Sequence, residues 1–533
     1  MGFAAGIGKN DAFEADIKVH LHDYIAPFVM QTRAWWFSHR HSLSSLGKDK
    51  GYYEAMSAHV DRDDWPISRV QPPPYDTIQE LEAGRHRSRC QQSTSVTTLL
   101  RLTLLTVYRQ LFSIVSLVNL AGVLLVTLRG ISSSEPPLTD LITAAVANLT
   151  VAIVIRQDYM TNALFAACWN VSHAAPLRLR CKLALVYEHG GVHSGSAVGA
   201  LLWTVAFLGF LIPQALHATW RSVFVLSCGL VLLSILVTVV LGALPQVRRR
   251  HHNFFENTHR IGGWVSVLLY WPTLLLFIQD HGGDSEANGS LLWLALLRTP
   301  TFWMLLVITV NVAYPWLLLR RVDVTKIERL SNHAIRVYFS PQERIPALRG
   351  TSISDQPLHE WHSFAVIPDL DGSDGGASSC IISRAGDWTD KIIRTPPSFF
   401  YMRGHSKTGV LGMTKVFRSV VLMSTGSGIG PCLGIMGQLP DTEMRVIWSA
   451  PDPIETFGKK ICEYVLSSDP RAVILNTRRP GQHRPDLVAA AFEVYLAQNA
   501  EAVFFVSNRK LTQKVVKGLE AKGVPVFAPI FDS

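Results

Sequence analysis

Apolar and polar positions divide this chain into two regimes. Between about residues 99 and 322 the apolar positions come in long runs, and after Arg321 they come in short ones separated by polar turns. Six of the long runs could cross about 30 Å of hydrocarbon at about 1.5 Å per residue. They are Arg109–Leu128, Leu138–Ile155, Ser194–Leu216, Ser222–Leu244, Ile261–Ile278 and Phe302–Leu319. Between the second and third, over 156–193, leucines and aromatics alternate with polar residues, which predicts helical segments on or just below a membrane surface. The short runs Ala334–Phe339, Ser363–Ile367 and Ser379–Ser383 predict a small antiparallel barrel. From Val416 the pattern changes again. Strands at Val420–Met423, Arg445–Trp448, Ala472–Leu475, Ala502–Val506 and Val524–Phe527 alternate with helices such as Glu455–Ser467 and Arg484–Asn499. That alternation predicts a parallel sheet with its ligand at the carboxyl ends of the strands.

Composition supports the division. The chain has 533 residues, 48% hydrophobic and only 17% charged, too apolar on average for a set of water-soluble domains. The net charge of +9 could point to nucleic acid, but the basic clusters Arg178/Arg180/Lys182, Arg248–Arg250 and Arg320/Arg321 sit beside the apolar runs. They follow the second, fourth and sixth spans, so they read as topology signals that place both termini in the cytosol. No nucleic-acid partner is expected. Asn288-Gly289-Ser290 then falls on the far side, where it could accept a glycan, whereas Asn148-Leu149-Thr150 lies within a span. The seven cysteines show neither paired spacing nor a zinc pattern. No cleavable secretory leader is read at the start of the chain. Residues 1–98 read as a cytosolic extension carrying Trp35-Trp36-Phe37, a basic stretch at Arg85–Arg89 and a Pro72-Pro73-Pro74-Tyr75 segment, which is a stiff turn or a ligand for an aromatic-lined module. The remaining boundaries are 99–322 for the membrane bundle, 323–415 for the barrel and 416–533 for the parallel-sheet domain.

The chemistry centres on Val420–Gly434. An apolar strand meets the turn Ser424-Thr425-Gly426-Ser427-Gly428-Ile429-Gly430-Pro431 and continues as a helix start. Glycines there let backbone N–H groups approach a diphosphate, and the helix N-terminus adds roughly half a positive charge. An ordinary strand-to-helix turn has the same local pattern.

Bundle, barrel and nucleotide-type unit, in that order, resemble the ferric reductase and NADPH oxidase superfamily over about residues 100–533. Trp361-His362-Ser363-Phe364-Ala365 is similar to that family's Trp-His-Pro-Phe-Thr flavin segment, and Gly386-Asp387-Trp388-Thr389 to its Gly-Asp-x-Thr segment. Thr425–Pro431 resembles its pyridine-nucleotide loop, Ser507-Asn508 stands where it has Cys-Gly, and Phe531 resembles the C-terminal aromatic over the flavin. Gly190–Gly195 and Ile530–Ser533 give a closer likeness to fungal TmpA-like transmembrane flavoproteins, thought to be oxidoreductases linked to development and secondary metabolism.

The resemblance implies a multi-helix transmembrane bundle followed by a cytosolic ferredoxin-reductase-like module: an antiparallel β-barrel FAD domain and an α/β parallel-sheet NAD(P) domain. It implies FAD on His362, Ser363, Phe364, Gly386, Trp388, Thr389 and Phe531. It implies NAD(P)H on Thr425, Gly426, Gly428, Gly430, Pro431, Ser507 and Asn508. Ser449-Ala450-Pro451 lacks the arginine that would mark a 2′-phosphate site, Arg478 and Arg479 in the next strand-end loop could serve instead or simply face solvent, and the coenzyme stays open between NADH and NADPH. Electrons would pass from NAD(P)H through FAD to a cytosolic or membrane-embedded small-molecule acceptor, in a lipid bilayer and in company with other membrane proteins. No catalytic side chain is assigned, because the cofactors carry the hard chemistry. The family's paired histidines imply His193 and His259 as ligands of at most one haem b at the inner side. Interfacial histidines that only hydrogen-bond are the other account of the pair. Positions for an outer pair, Ala206 or Phe207 and Pro272 or Thr273, hold no ligand. Ala365 stands where the family has threonine, and Arg403–Gly409 replaces its Gly-Pro-x-Gly, with basic residues that meet phosphate or simply face solvent. Those departures keep open a non-catalytic flavin- and nucleotide-binding sensor or scaffold.

Overall fold

The computed structural model describes residues 106–133, 135–215, 219–281, 289–340, 343, 345–369, 376–436, 438–478 and 485–529. The chain divides into residues 1–71 and 72–533, and every described residue belongs to the second unit. Trp35–Phe37, Pro72–Tyr75, Arg85–Arg89, Asn288, Arg479 and Phe531 therefore lie outside the described residues.

The bundle contains α1 (Val107–Ser132), α2 (Leu138–Val154), α3 (Asp158–Trp169), α4 (Leu177–Ala184), α5 (Gly190–Ala215), α6 (Trp220–Gly242), α7 (Pro245–Arg250), α8 (His252–His281), α9 (Gly289–Arg298) and α10 (Pro300–Leu317). Among the described residues five helices are long and apolar enough to cross a membrane, or six if α2 and α3, bent by 69° at Arg156-Gln157, form one span. On α2 the buried residues Leu138, Leu141, Ile142, Ala145 and Val146 recur at helical spacing and face the other helices. On α1 the opposite holds: Leu117, Val118, Leu125 and Ile131 are all more than 60% exposed, as suits a face turned to lipid. This is an integral membrane protein.

Gly191, Gly195 and Gly199 form a one-face stripe on α5 that lets α1 approach closely. A Cβ on Gly191 would lie 2.1 Å from the Tyr108 carbonyl, and one on Gly199 2.6 Å from Asn119. The stretch behind the closer sequence likeness is thus, in the fold, a helix-packing device.

The first sheet is antiparallel, in the order β4 (His362–Ala365), β3 (Arg349–Ser354), β6 (Phe399–Met402), β1 (Arg320–Arg329), β2 (Ala334–Phe339), β5 (Ser379–Ser383), with β7 (Lys407–Thr408) on β3. A bridge between Ile367 and Ser379 joins its two edges and closes the barrel. Val337, Phe339, Ile353, Ile382, Phe400 and Met402 fill it, and α11 (Asp387–Arg394) plugs one end with Trp388 and Ile392.

The second sheet is wholly parallel: β10 (Val473–Asn476), β9 (Glu443–Ala450), β8 (Ser419–Thr425), β11 (Ala502–Val506), β12 (Val526–Phe527). Its helices are α12 (Ile429–Leu433), α13 (Pro453–Phe457), α14 (Lys459–Ser468), α15 (Leu487–Ala497) and α16 (Arg509–Glu520). The helix expected over Glu455–Ser467 is two helices, because Gly458 between them sits at φ +85°. In chain order the sheet runs 3-2-1-4-5, so the strand sequence reverses between β8 and β11.

The segment read as surface-lying helices does more than float at the interface. Asp158 accepts from the His405 amide at 3.0 Å and pairs with Lys407 at 2.8 Å. Asn162 donates to the Ser406 carbonyl and accepts from Thr408, and Trp169 donates to the Gly412 carbonyl. The basic Arg403–Gly409 loop therefore spends its polar groups docking on α3. Arg180, counted in the sequence as a topology charge, is 3% exposed and grips Glu501 with two hydrogen bonds of 2.6 Å.

Near this seam, burial and then the neighbouring Glu188 carboxylate push Glu520, at the end of α16, up to about 7. A carboxyl raised on folding binds its proton more tightly when folded. Its contribution to stability is full below the ordinary carboxylate range, falls as pH climbs toward 7, and is flat above. Thermal midpoints of the solubilised chain measured from pH 4 to 8 are expected to show this decline, and Glu520→Gln to flatten it.

Candidate functional site

Strand alternation splits the barrel residues into two faces. His362 and Phe364 point toward α11: the His362 ring stacks on Trp388 with centroids 4.1 Å apart and planes at 22°, and Phe364 lies 6.1 Å from the same indole. Ser363 faces the other way and hydrogen-bonds Ser352 at 2.9 Å. Trp388 is buried, and its Nε1 donates to Asp355 at 2.7 Å. Burial works to raise the Asp355 pKa, but hydrogen bonds from Lys391 and Trp388 outweigh it and hold the carboxyl below the usual range. Sequence reasoning missed Asp355, which carries no motif and is placed by the end of β3. The Thr389 hydroxyl accepts from the Ala385 and Gly386 amides at 2.8 and 3.0 Å and donates to the Gly386 carbonyl. It shapes the turn at Gly386 that leads into α11.

The nucleotide-type loop leaves β8 at Thr425, turns through Gly426 at φ +52° and enters α12 with Gly430 and Pro431 in its first turn. Trp448 Nε1 donates to the Gly426 carbonyl at 3.0 Å and holds the turn. Gly428 is required by space: a Cβ there would stand 2.6 Å from the Val506 carbonyl oxygen. Adjacent pairing of β8 and β11 brings Thr425 and Ser507 together, their hydroxyls 2.5 Å apart. Asn508 caps α16 by accepting from the Leu511 amide at 3.1 Å. Loop, cap and α16 N-terminus thus converge on the reversal point between β8 and β11, the crevice where open α/β sheets bind ligands. Arg478 is exposed beyond the end of β10, one strand past β9, with its guanidinium 3.8 Å from Asp452.

The two sheets meet at this loop. Ser383, ending β5, donates to Ser427 at 2.8 Å, and the Val366 carbonyl lies 2.6 Å from where a Gly434 Cβ would be.

In the bundle, α5 and α8 bring His193 and His259 face to face, ring centroids 6.1 Å apart and tilted by 40°. The His193 Nδ1–H donates to the Ala152 carbonyl at 2.8 Å, which fixes the ring and leaves Nε2 with its lone pair. The chemistry of the pair, two imidazoles with a ligating nitrogen available on His193, fits a haem that they would hold. Farther along the same helices Phe207, Tyr270 and Phe277 are buried, Phe207 packing on Phe277 at 5.8 Å, so side chains fill that part of the bundle.

These elements define a ferredoxin-reductase-like module, an antiparallel barrel followed by a parallel nucleotide-type sheet, joined to a membrane-helix bundle. Residues 410–533 match the family model described as the C-terminal domain of adenylate-forming reductase 03009. Adenylate-forming reductase 03009 of Coprinopsis cinerea is 38% identical over 434 residues, covering 81% of this chain and 41% of that protein. The chain thus spans about two-fifths of the length of this curated relative. Ferric reduction oxidase 4 of Arabidopsis thaliana is 24% identical over 334 residues, 56% of this chain and 42% of that one. The likeness to ferric-reductase-type flavoproteins seen in the motifs holds. Among solved structures, a ferredoxin NADP+ reductase from Neisseria gonorrhoeae with bound FAD and NADP aligns over 40% of this chain and 98% of its own, at 14% identity and a TM-score of 0.33.

Proposed function

We propose that this chain is a membrane-bound NAD(P)H-dependent flavin oxidoreductase that passes electrons to a cytosolic or membrane-embedded acceptor. One observation carries the reading: the glycine loop at the reversal point of the parallel sheet is hydrogen-bonded, through Ser427 and Ser383, to the barrel that presents the His362–Trp388 face. A coenzyme whose diphosphate rests on the amides of 426–430 would lay its nicotinamide toward that barrel. His362 and Phe364 supply an aromatic wall for a flavin, and the N-terminus of α11 behind Gly386 favours its diphosphate. FAD, when bound there, supplies hydride acceptance and onward electron release. Thr425, Ser507 and the α16 cap orient the coenzyme, and the docked barrel excludes water from the contact.

His193 and His259 would hold one b-type haem, which when bound supplies one-electron transfer. Arg248–Arg250 and Arg320/Arg321, flanking α6 and α10, support a cytosolic module with both termini on its side.

Absorbance spectra of the purified chain, before and after NADH or NADPH, test the reading. Flavin bands that bleach with a reduced coenzyme are expected, and bound flavin that neither coenzyme bleaches would make the chain a binding scaffold instead. A single haem Soret band is also expected, lost in both His193→Ala and His259→Ala. A Soret band surviving either substitution would remove that histidine from the ligand set.

A further inference from the structure

We infer that the nucleotide site selects a coenzyme with a free 2′-hydroxyl, NADH over NADPH, and that Asp452 is the specificity-determining residue. The inference rests on the nucleotide-binding reading above.

With the diphosphate on the loop after β8, the adenosine runs toward the next strand of the sheet, β9, before it reaches β10 about 4.8 Å farther on. β9 ends at Ala450, and Asp452 follows two residues later as the N-cap of α13, about 20 residues beyond the glycine loop, where an acidic side chain in such folds receives the ribose hydroxyls. Asp452 is built into that place. Its backbone sits at φ +40°, a conformation that costs a non-glycine residue energy and is kept only where the surroundings enforce it. Asn476, ending β10, enforces it reciprocally: its Oδ1 accepts from the Asp452 amide at 3.0 Å and its Nδ2 donates to Asp452 Oδ1 at 2.8 Å. Asn476 Oδ1 also accepts from the Arg478 amide at 2.9 Å, so one side chain fixes both neighbours.

Among the described residues the second carboxylate oxygen, Oδ2, meets only the Arg478 guanidinium, 3.8 Å away, and it is the atom that would receive a ligand hydroxyl. A ribose 2′-hydroxyl can donate to it. A 2′-phosphate in the same position would bring like charge against a carboxylate that cannot turn away. Arg478 stands beyond Asp452 as seen from the loop and is partly neutralised by it.

The test uses the full solubilised chain. Competition binding of ADP against adenosine 2′,5′-bisphosphate reads the preference without any redox step, and ferricyanide reduction by NADH and NADPH reads it in turnover. ADP is expected to bind at least tenfold more tightly, and kcat/KM to favour NADH by a similar factor. Asp452→Asn, which keeps the acceptor for Asn476, and Asp452→Ser are each expected to shrink that preference about tenfold through the KM for NADPH. Arg478→Ala is expected to leave the preference in place. Equal or reversed preference in the unaltered chain, a preference unmoved by both Asp452 variants, or its reversal by loss of Arg478 would each overturn the assignment. Selective ADP binding without coenzyme oxidation would sustain it while overturning the oxidoreductase reading. Failure of both nucleotides to bind would overturn both.

Discussion

Replacing Arg180 by methionine is expected to loosen the reductase module from the bundle at a cost of about 3 kcal/mol, the range for breaking one side of a buried ion pair. Arg180 reaches from α4 into the parallel-sheet domain, where its guanidinium meets both oxygens of Glu501 at 2.6 Å and the Val416 carbonyl at 3.1 Å. Glu501 also accepts from the Arg418 amide at 2.7 Å. Burial alone would raise the Glu501 pKa, yet the Arg180 and Arg418 hydrogen bonds outweigh it and hold the carboxyl below its usual value. Removing the arginine leaves that carboxylate largely buried without a counter-charge. The measurement is thermal unfolding with limited proteolysis of the Val416–Ser419 connection, where Arg180→Met should lower the midpoint and expose the cut. Removing both partners, Arg180→Met with Glu501→Leu, should cost well under the sum of the single changes, because no lone charge remains. Additive losses would show that the pair is not coupled.

Substituting alanine for Gly428 is expected to lower kcat/KM for the reduced coenzyme about a hundredfold, roughly 2.7 kcal/mol, while bound flavin is retained. The added methyl would stand 2.6 Å from the Val506 carbonyl oxygen, a backbone atom held in the β8–β11 ladder. Relief must come from moving the loop, which separates Thr425 from Ser507 and misaims the amides meant for the diphosphate. Gly409→Ala is the matched control: its φ is −95° and a Cβ there meets nothing within 4 Å. Stopped-flow flavin reduction on both variants reads the difference, and equal rates would show that the loop does not receive the coenzyme.

The two changes differ in how far the sequence foretells them. Gly428 belongs to a contiguous motif, and strand, turn and helix start are local features that each announce themselves in a few residues. The same is true of Ala334–Phe339, Ser379–Ser383 and Ala502–Val506, whose apolar runs match the observed strands end to end. The membrane helices were legible because hydrocarbon imposes a minimum apolar length on any segment that crosses it.

Arg180 gave no such sign. In the sequence it is one of three basic residues beside an apolar run, and its partner Glu501 is 321 positions away. The same holds for Asp158 and Lys407, for Trp388 and Asp355, and for Asp452 with Asn476, each pair joined only when distant segments fold together. The order of bundle, barrel and parallel sheet and the glycine loop were legible in the sequence alone, because periodicity and short motifs are properties of neighbouring residues. The docking of the basic loop on α3, the reach of Arg180 to Glu501 and the pairing of Asp452 with Asn476 came only with the fold. Those contacts depend on sheet order and on segments brought together from 24 to 321 positions apart, and no local pattern encodes such a meeting.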